Sequence, residues 1–502
     1  MRYVYARFIA LLAICTVTGS LYAQKVTVED YARAEGFLGN YTSSLVFKNG
    51  VNPNWISNTS FWYRNTLQNG SEFILVDAAA GKRARAFDHD RLAKSISSQL
   101  DTTFTGLNLP FTTIEFSEDG KSVNFNARGR FFTCTLNRYK CESISKGGAA
   151  GAPQDARADA FRRFRSVDVA SPDGKLEAFI RDYNLWVRDT TTKEERPLTK
   201  DGIEEFGYAT NNAGWTKGDG PILVWSPDSR KIATFQHDGR GVQNMYLVST
   251  ATGHPELQAW KYPLPGDSLI FRIERVVIDV PSARVVRLDM PPDAHRSTIT
   301  DHIAYRGSWA DVEWSKDGQE LSFVSSSRDH KDAWLRVANP ETGTVKDVFH
   351  EHQNTFYESG IGDVNWRFLS DSDEFIWFSQ RDNWGHLYLY DQKTGALKNQ
   401  ITKGNWNVRT IQLIDETARK IYFVGSGRED GDPYFTYLYS INFDGSDLKL
   451  LTPEYGTHSY SFSSDNAYFV DTYSQPDVPP VAAVRNLDGN LMVTLEKADI
   501  SA

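Results

Sequence analysis

One short phrase recurs along this chain of 502 residues and limits what it can fold into. It is an apolar residue, then Ser-x-Asp-Gly or a close relative, then an alternating apolar run. Its serine, or the residue standing for it, falls at Ser117, Ser171, Ser226, Ser315, Ser370, Asp415 and Ser463, and a looser first copy surrounds Trp55 ahead of Phe61. The steps between copies are 54, 55, 89, 55, 45 and 48 residues. Each copy also has a second half, an alternating run that closes on a turn, as at Asp77 with Gly81, Asp189, Ser249 with Gly253, and Asp391 with Gly395. Period-2 alternation between such turns is a hairpin signal, and two hairpins make four strands. Four-stranded sheets at this period stack radially as propeller blades, each covering its neighbour's apolar face. The expected fold is therefore all-β, an eight-bladed β-propeller of four-stranded antiparallel blades. The long step implies about 35 extra residues over the repeat period, and 260–267 reads as part of that extension. None of the repeated serines reads as a nucleophile, because Ser and Asp in such a phrase bond the local backbone of a turn.

Composition agrees with strands. Aromatic residues reach 13%, and flat side chains suit a pleated, half-buried surface. With 40% apolar and 24% charged residues the chain can bury a sizeable core. The net charge of −9 leaves no basic surplus to neutralise a phosphate backbone, so nucleic acid is not an expected partner. Outside the repeats, Thr27 caps a helix that runs to Glu35, and a second helix is expected from Asp90 to Ser97.

The first residues read as an address. Arg2 and Arg7 precede an apolar run from Phe8 to Val17, and Ala23 offers a small residue before Gln24, the pattern of a cleaved secretory signal. A lipoprotein signal using Cys15 is the rival, disfavoured by bulky Ile14 beside the cysteine. No later apolar stretch is long enough to span a bilayer. Cys134 and Cys141 flank an Asn-Arg turn in a hairpin that sets the thiols opposite one another, which in an exported chain predicts a disulfide; the alternative is a reactive cysteine.

Several stretches, in order, resemble the non-catalytic propeller domain of dipeptidyl peptidase IV and its bacterial relatives in the prolyl oligopeptidase family. They are the run from Asp30 to Glu35, the run from Trp225 to Ala233, Tyr262-Pro-Leu-Pro265 with the Val-rich hairpin after it, Arg381-Asp-Asn-Trp-Gly-His-Leu-Tyr388, and Thr472-Tyr-Ser-Gln-Pro-Asp-Val-Pro-Pro480. The resemblance implies a serine peptidase whose propeller precedes an α/β-hydrolase domain carrying the Ser-Asp-His triad. The Gly-x-Ser-x-Gly elbow that would hold such a nucleophile does not occur in these 502 residues, so no catalytic residue is assigned. Relatives that remove dipeptides clamp the substrate ammonium with paired glutamates after a Gly-x-x-Asp-Trp-Val-Tyr turn. Here the matching run is Gly202-Ile-Glu-Glu-Phe-Gly-Tyr208, and Ala209 and Thr210 stand where the pair would be. Neutral groups hold an ammonium less strongly than carboxylates do. If this loop faces substrate, the residues expected to touch it are Tyr208, Asn211, Asn212 and Trp215.

The organisation expected is a signal peptide over 1–23, a helix and lead-in over 24–48, the propeller over 49–483, and a connector over 484–502 towards a hydrolase domain absent from this chain. The function implied is to gate peptide access in an exported dipeptidyl-peptidase-IV-like serine peptidase, periplasmic or extracellular, with the chain inactive by itself. A free-standing envelope propeller that binds a protein partner is the alternative. Expected partners are a peptide substrate, the α/β-hydrolase domain and a second copy in a homodimer; no cofactor, metal or membrane span is expected. His350-Glu-His352 would place two imidazoles on one strand face, yet without a third ligand in sight it reads as a solvated turn after Phe349. An exposed apolar face on the 30–37 helix and after Pro480 would favour the split peptidase over the free-standing propeller.

Overall fold

The computed structural model describes residues 26–144, 168–210, 220–250, 252–294, 309, 311–358, 365–369 and 371–501. The signal reading at 1–23 and the candidates Asn211, Asn212 and Trp215 lie outside them. Among the described residues the fold is almost wholly β, with seven four-stranded antiparallel sheets, one sheet of six strands and one separate hairpin. This arrangement is consistent with a propeller. The chain divides into two compact units, Met1–Lys146 with Ser459–Ala502, and Gly147–His458.

In five of the sheets the repeated phrase is the turn that joins one strand to the next. At Ser226 the hydroxyl donates to Asp228 Oδ1 (2.6 Å) and accepts from the Lys231 amide (2.8 Å), while the Asp228 carboxylate accepts from the Arg230 amide (3.1 Å). Ser117, Ser171, Ser315 and Ser463 donate in the same way to Asp119, Asp173, Asp317 and Asp465. The fourth residue is left-handed in all five copies, at Gly120, Gly174, Ser229, Gly318 and Asn466, which is why glycine recurs there. These serines are structural.

In the Gly147–His458 unit, several middle strands are buried on both faces. Leu321–Ser326 and Glu374–Ser379 are buried at every position, whereas the outer strand Leu397–Gln400 has no buried residue. Such strands are covered by a neighbouring sheet on each side. Consecutive sheets share cores accordingly: Ile376, Phe378, Leu387 and Leu389 pack with Trp406, Ile421, Phe423 and Tyr439 from the next sheet.

The long step resolves differently from the expectation. The run at Met245 is not the third strand of its sheet. Strand Lys231–Asp238 pairs instead with Arg272–Asp279, whose Ile273, Val276, Val277 and Ile278 are all buried. Asn244–Ser249 and Glu256–Lys261 form their own hairpin, with Tyr246, Leu247, Val248 and Leu257 exposed. Alternation identified a strand there but could not distinguish its partner, because two runs of similar pattern compete and burial decides between them.

In the other unit, helix Val28–Glu35 carries a capping box. The Thr27 hydroxyl accepts from the Asp30 amide, and the Asp30 carboxylate accepts from the Thr27 amide (2.9 Å). None of its residues is buried. Helix His89–Leu100, capped by Asp88, buries Leu92, Ala93 and Ile96 in a core with Phe73, Phe111, Phe125 and Phe132. Cys134 and Cys141 face each other across adjacent strands and are joined by a disulfide. The stretch from 484, expected to be a connector, is instead sheet: Val478–Asn486 and Leu491–Lys497 are the last two strands, and Val484 and Leu495 pack with Phe61, Tyr63 and Val76 of the first sheet. Pro479 and Pro480 fall near the start of this strand, where a missing donor is tolerated.

Candidate functional site

Strand Phe206–Tyr208 lies beside Lys231–Asp238, with Tyr208 opposite Gln236. Tyr208 is buried, and its hydroxyl accepts from Arg287 Nη2 (3.1 Å) and donates to Asp201 Oδ2 (3.2 Å). Arg287 also donates to Gln236 Oε1 (2.6 Å) and Glu274 Oε2 (2.5 Å). Burial pushes the phenol up to about 12, with Arg287 opposing and Asp201 adding to the rise. Tyr208 is thus a neutral hydrogen-bonding post inside a charged cluster.

The two positions after it fix the local chain path. Ala209 is fully buried and left-handed (φ 57°); its amide donates to the Phe235 carbonyl and its carbonyl accepts from the Ile222 amide. Thr210 is buried, 5% exposed. A glutamate pair here would place two carboxylates where this chain has a methyl and a hydroxyl. Asp201, which accepts from the Tyr208 hydroxyl, and Glu274 are both paired with Arg287. Glu205, four residues before 209, binds Lys261 of the separate hairpin (3.0 Å).

A second polar cluster was not foreseen as a unit. Glu351 is buried on strand Val345–His352 and accepts from Trp377 Nε1 (2.8 Å), Ser379 Oγ (2.5 Å), Arg381 Nη2 (2.7 Å) and Gln353 Nε2. Arg381 lies over the rings of Tyr388 and Tyr390. The Arg381–Tyr388 motif supplies half of this cluster, but Glu351 comes from another sheet, so no local signal tied it to Arg381. Its remaining motif residues are structural. His386 is bonded through both nitrogens, to Thr402 Oγ1 (3.0 Å) and the Gly404 carbonyl (2.8 Å). A Cβ at Gly385 would come within 2.5 Å of the Phe378 ring.

His350 and His352 lie in a strand rather than in a turn, and Asp332, on the paired strand, is hydrogen-bonded to both. Sequence spacing could not supply that carboxylate, which reaches the pair only through strand pairing.

Comparison with known proteins gives one consistent answer. A family model described as the dipeptidyl peptidase IV (DPP IV) N-terminal region matches residues 113–480. Dipeptidyl-aminopeptidase B of Aspergillus niger is 23% identical over 372 residues, covering 63% of this chain and 38% of that protein. A probable dipeptidyl peptidase 4 of Aspergillus flavus is 26% identical over 340 residues, covering 62% and 40%. The chain therefore spans about two fifths of the curated relatives it matches. Among solved structures, dipeptidyl peptidase 4 of Porphyromonas gingivalis superposes with a TM-score of 0.58 at 18% identity, over 94% of this chain and 62% of that one. A putative dipeptidyl aminopeptidase IV of Bacteroides ovatus gives 0.56 at 17%, over 90% and 61%. At these identities the structural likeness establishes the fold.

Proposed function

Because the chain belongs to the dipeptidyl peptidase IV N-terminal region family, we propose that it is the substrate-gating, eight-bladed propeller of an exported serine peptidase of that type. The observation that carries the reading is the family match across 113–480. In it the propeller admits unfolded peptides to a Ser-Asp-His triad supplied by an α/β-hydrolase domain, and these 502 residues hydrolyse no peptide alone. The exposed apolar side chains of the N-terminal segment support it. Val28, Tyr31, Phe37, Leu38, Tyr41 and Leu45 are each about half exposed or more, and uncovered apolar side chains are what a docking face for a further domain requires. Tyr208, expected to touch substrate, is 1% exposed and would instead hold the strand that leads to Asn211, Asn212 and Trp215, and contact with substrate would fall to those three. A glutamate pair is lacking at Ala209 and Thr210, so selection for a free N-terminal dipeptide should be weak. The exposed hairpin strands Asn244–Ser249 and Glu256–Lys261 would carry the contact of a homodimer.

The test is the intact mass of the mature protein recovered from its source, with labelling by a fluorophosphonate that reacts with activated serines. The expected result is a mass larger than that of residues 24–502 by roughly 200–250 residues, one further domain, with the label on a serine beyond Ala502. A mass matching residues 24–502, with no label, would overturn the reading in favour of a free-standing propeller that binds a protein partner.

A further inference from the structure

Among the described residues no three His, Cys, Asp or Glu side chains stand ready-made around a metal. One group falls short only by a small rearrangement. Strand Val345–His352 is the outer strand of its sheet and pairs with Asp332–Ala338, with Asp332 opposite His352 and Trp334 opposite His350. His350 and His352 therefore share a face, and Asp332 on the neighbouring strand reaches both. His350 Nε2 and His352 Nδ1 each lie 2.8 Å from the same oxygen, Asp332 Oδ1.

We propose that His350, His352 and Asp332 bind one divalent transition-metal cation of the zinc class, the cation displacing the two hydrogen bonds that now join them. Two imidazole nitrogens and one carboxylate oxygen suit Zn²⁺, whose ligands stand about 2.0–2.2 Å from the metal. In a tetrahedral shell of that size each nitrogen lies about 3.4 Å from the oxygen. The donors need to part by roughly 0.6 Å, within reach of side-chain rotation at exposed positions. The imidazoles are 48% and 51% exposed, so water completes the shell.

The rest of the site is already held. Asp332 is anchored by a Ser-x-Asp turn of the repeated type, its amide donating to Ser327 Oγ (3.0 Å) while Ser327 Oγ donates to Asp329 Oδ1 (2.6 Å). The His350 ring stacks on Trp334 at 5.0 Å and 11°, which fixes its plane. Glu351, between the two histidines, points to the opposite face and is committed to Arg381 and Trp377. Bound metal would clip the outer strand to its neighbour.

The experiment is calorimetric titration of the full chain with ZnCl₂, repeated with CoCl₂ while recording visible absorption. The expected result is one Zn²⁺ per chain and ligand-field bands with Co²⁺. His352→Gln and the isosteric Asp332→Asn should each lose tenfold or more in affinity, while His254→Ala, at an exposed histidine in the turn of the separate hairpin, should bind as the unaltered chain does. Circular dichroism of the variants establishes that they fold; because all three side chains lie at the surface, loss of fold is not expected. No saturable zinc binding by the unaltered chain, or full affinity retained in the His350→Ala/His352→Ala double variant, would overturn the assignment.

Discussion

Glu374 offers the sharpest test of how this fold holds charge. It opens a middle strand, and its side chain is only 2% exposed. Its carboxylate accepts from Arg419 Nη1 (2.8 Å) and Nη2 (3.3 Å) and from Lys398 Nζ. Burial alone would raise this carboxyl, but the bonds from Arg419, Lys398 and Ser372 outweigh it and hold it at about 2, against an ordinary 4.5. At 1.36 kcal/mol per pH unit that difference corresponds to about 3.4 kcal/mol. The cations are nearly half exposed, at 45% and 46%, so solvent screening reduces the effect to about 1.5–2 kcal/mol. The sign follows from the depressed value. The contribution is complete above the unfolded value near 4.5 and is lost as pH falls towards 2. Glu374→Gln keeps the shape and removes the charge. Urea unfolding should therefore separate variant from unaltered chain by about 1.5–2 kcal/mol at pH 7, by less than half of that at pH 3, and by nothing near pH 2. A difference that stays constant from pH 7 to pH 3 would refute the argument, because it would mean the loss comes from packing rather than from charge.

Three further outcomes follow from the geometry. Ser226→Ala should destabilise by about 1–3 kcal/mol, since it strips the buried Lys231 amide and the Asp228 carboxylate of a partner; an unchanged urea midpoint would contradict the turn-lock role. Replacing both Cys134 and Cys141 by Ala reopens a loop with a sequence separation of seven residues and should cost about 2.5 kcal/mol by chain entropy, read as a lowered melting temperature that reductant no longer affects. If the proposed homodimer uses the separate hairpin, Leu257→Asp, at a position 66% exposed there, should abolish it in analytical ultracentrifugation while leaving the melting temperature unchanged; a monomeric unaltered chain, or a dimer of undiminished affinity in the variant, would refute that contact.

Local chemistry made part of this protein legible before any coordinates. The Ser-x-Asp turns are written in the sequence because their bonds close within five residues, and the fourth position announces itself wherever it is glycine. The helix cap at Thr27 is local in the same sense. Cys134 and Cys141 are seven apart, so a single hairpin suffices to bring them together. Pairing over longer distances was not legible. The partner of Lys231–Asp238 lies beyond an excursion whose own strands alternate just as well, and only burial of Ile273, Val276, Val277 and Ile278 selects it.

The candidate sites divide along the same line. Tyr208 could be singled out from its neighbours in the chain, but its burial and its bonds to Arg287, 79 residues away, are products of sheet packing. Glu351 and Arg381 are 30 residues apart, Glu351 on one sheet and Arg381 in a turn of the next; neither has any signature that names the other. The same holds for Asp332, which meets His350 and His352 because antiparallel register puts it there. The sequence by itself determined the turns, the Thr27 helix cap, the recurrence of four-stranded units and the pairing of two near cysteines, since each rests on contacts within a few residues. Only the tertiary structure decided which strands are neighbours, which charges are buried together and which apolar surfaces stay uncovered, because those depend on side chains brought together from distant parts of the chain.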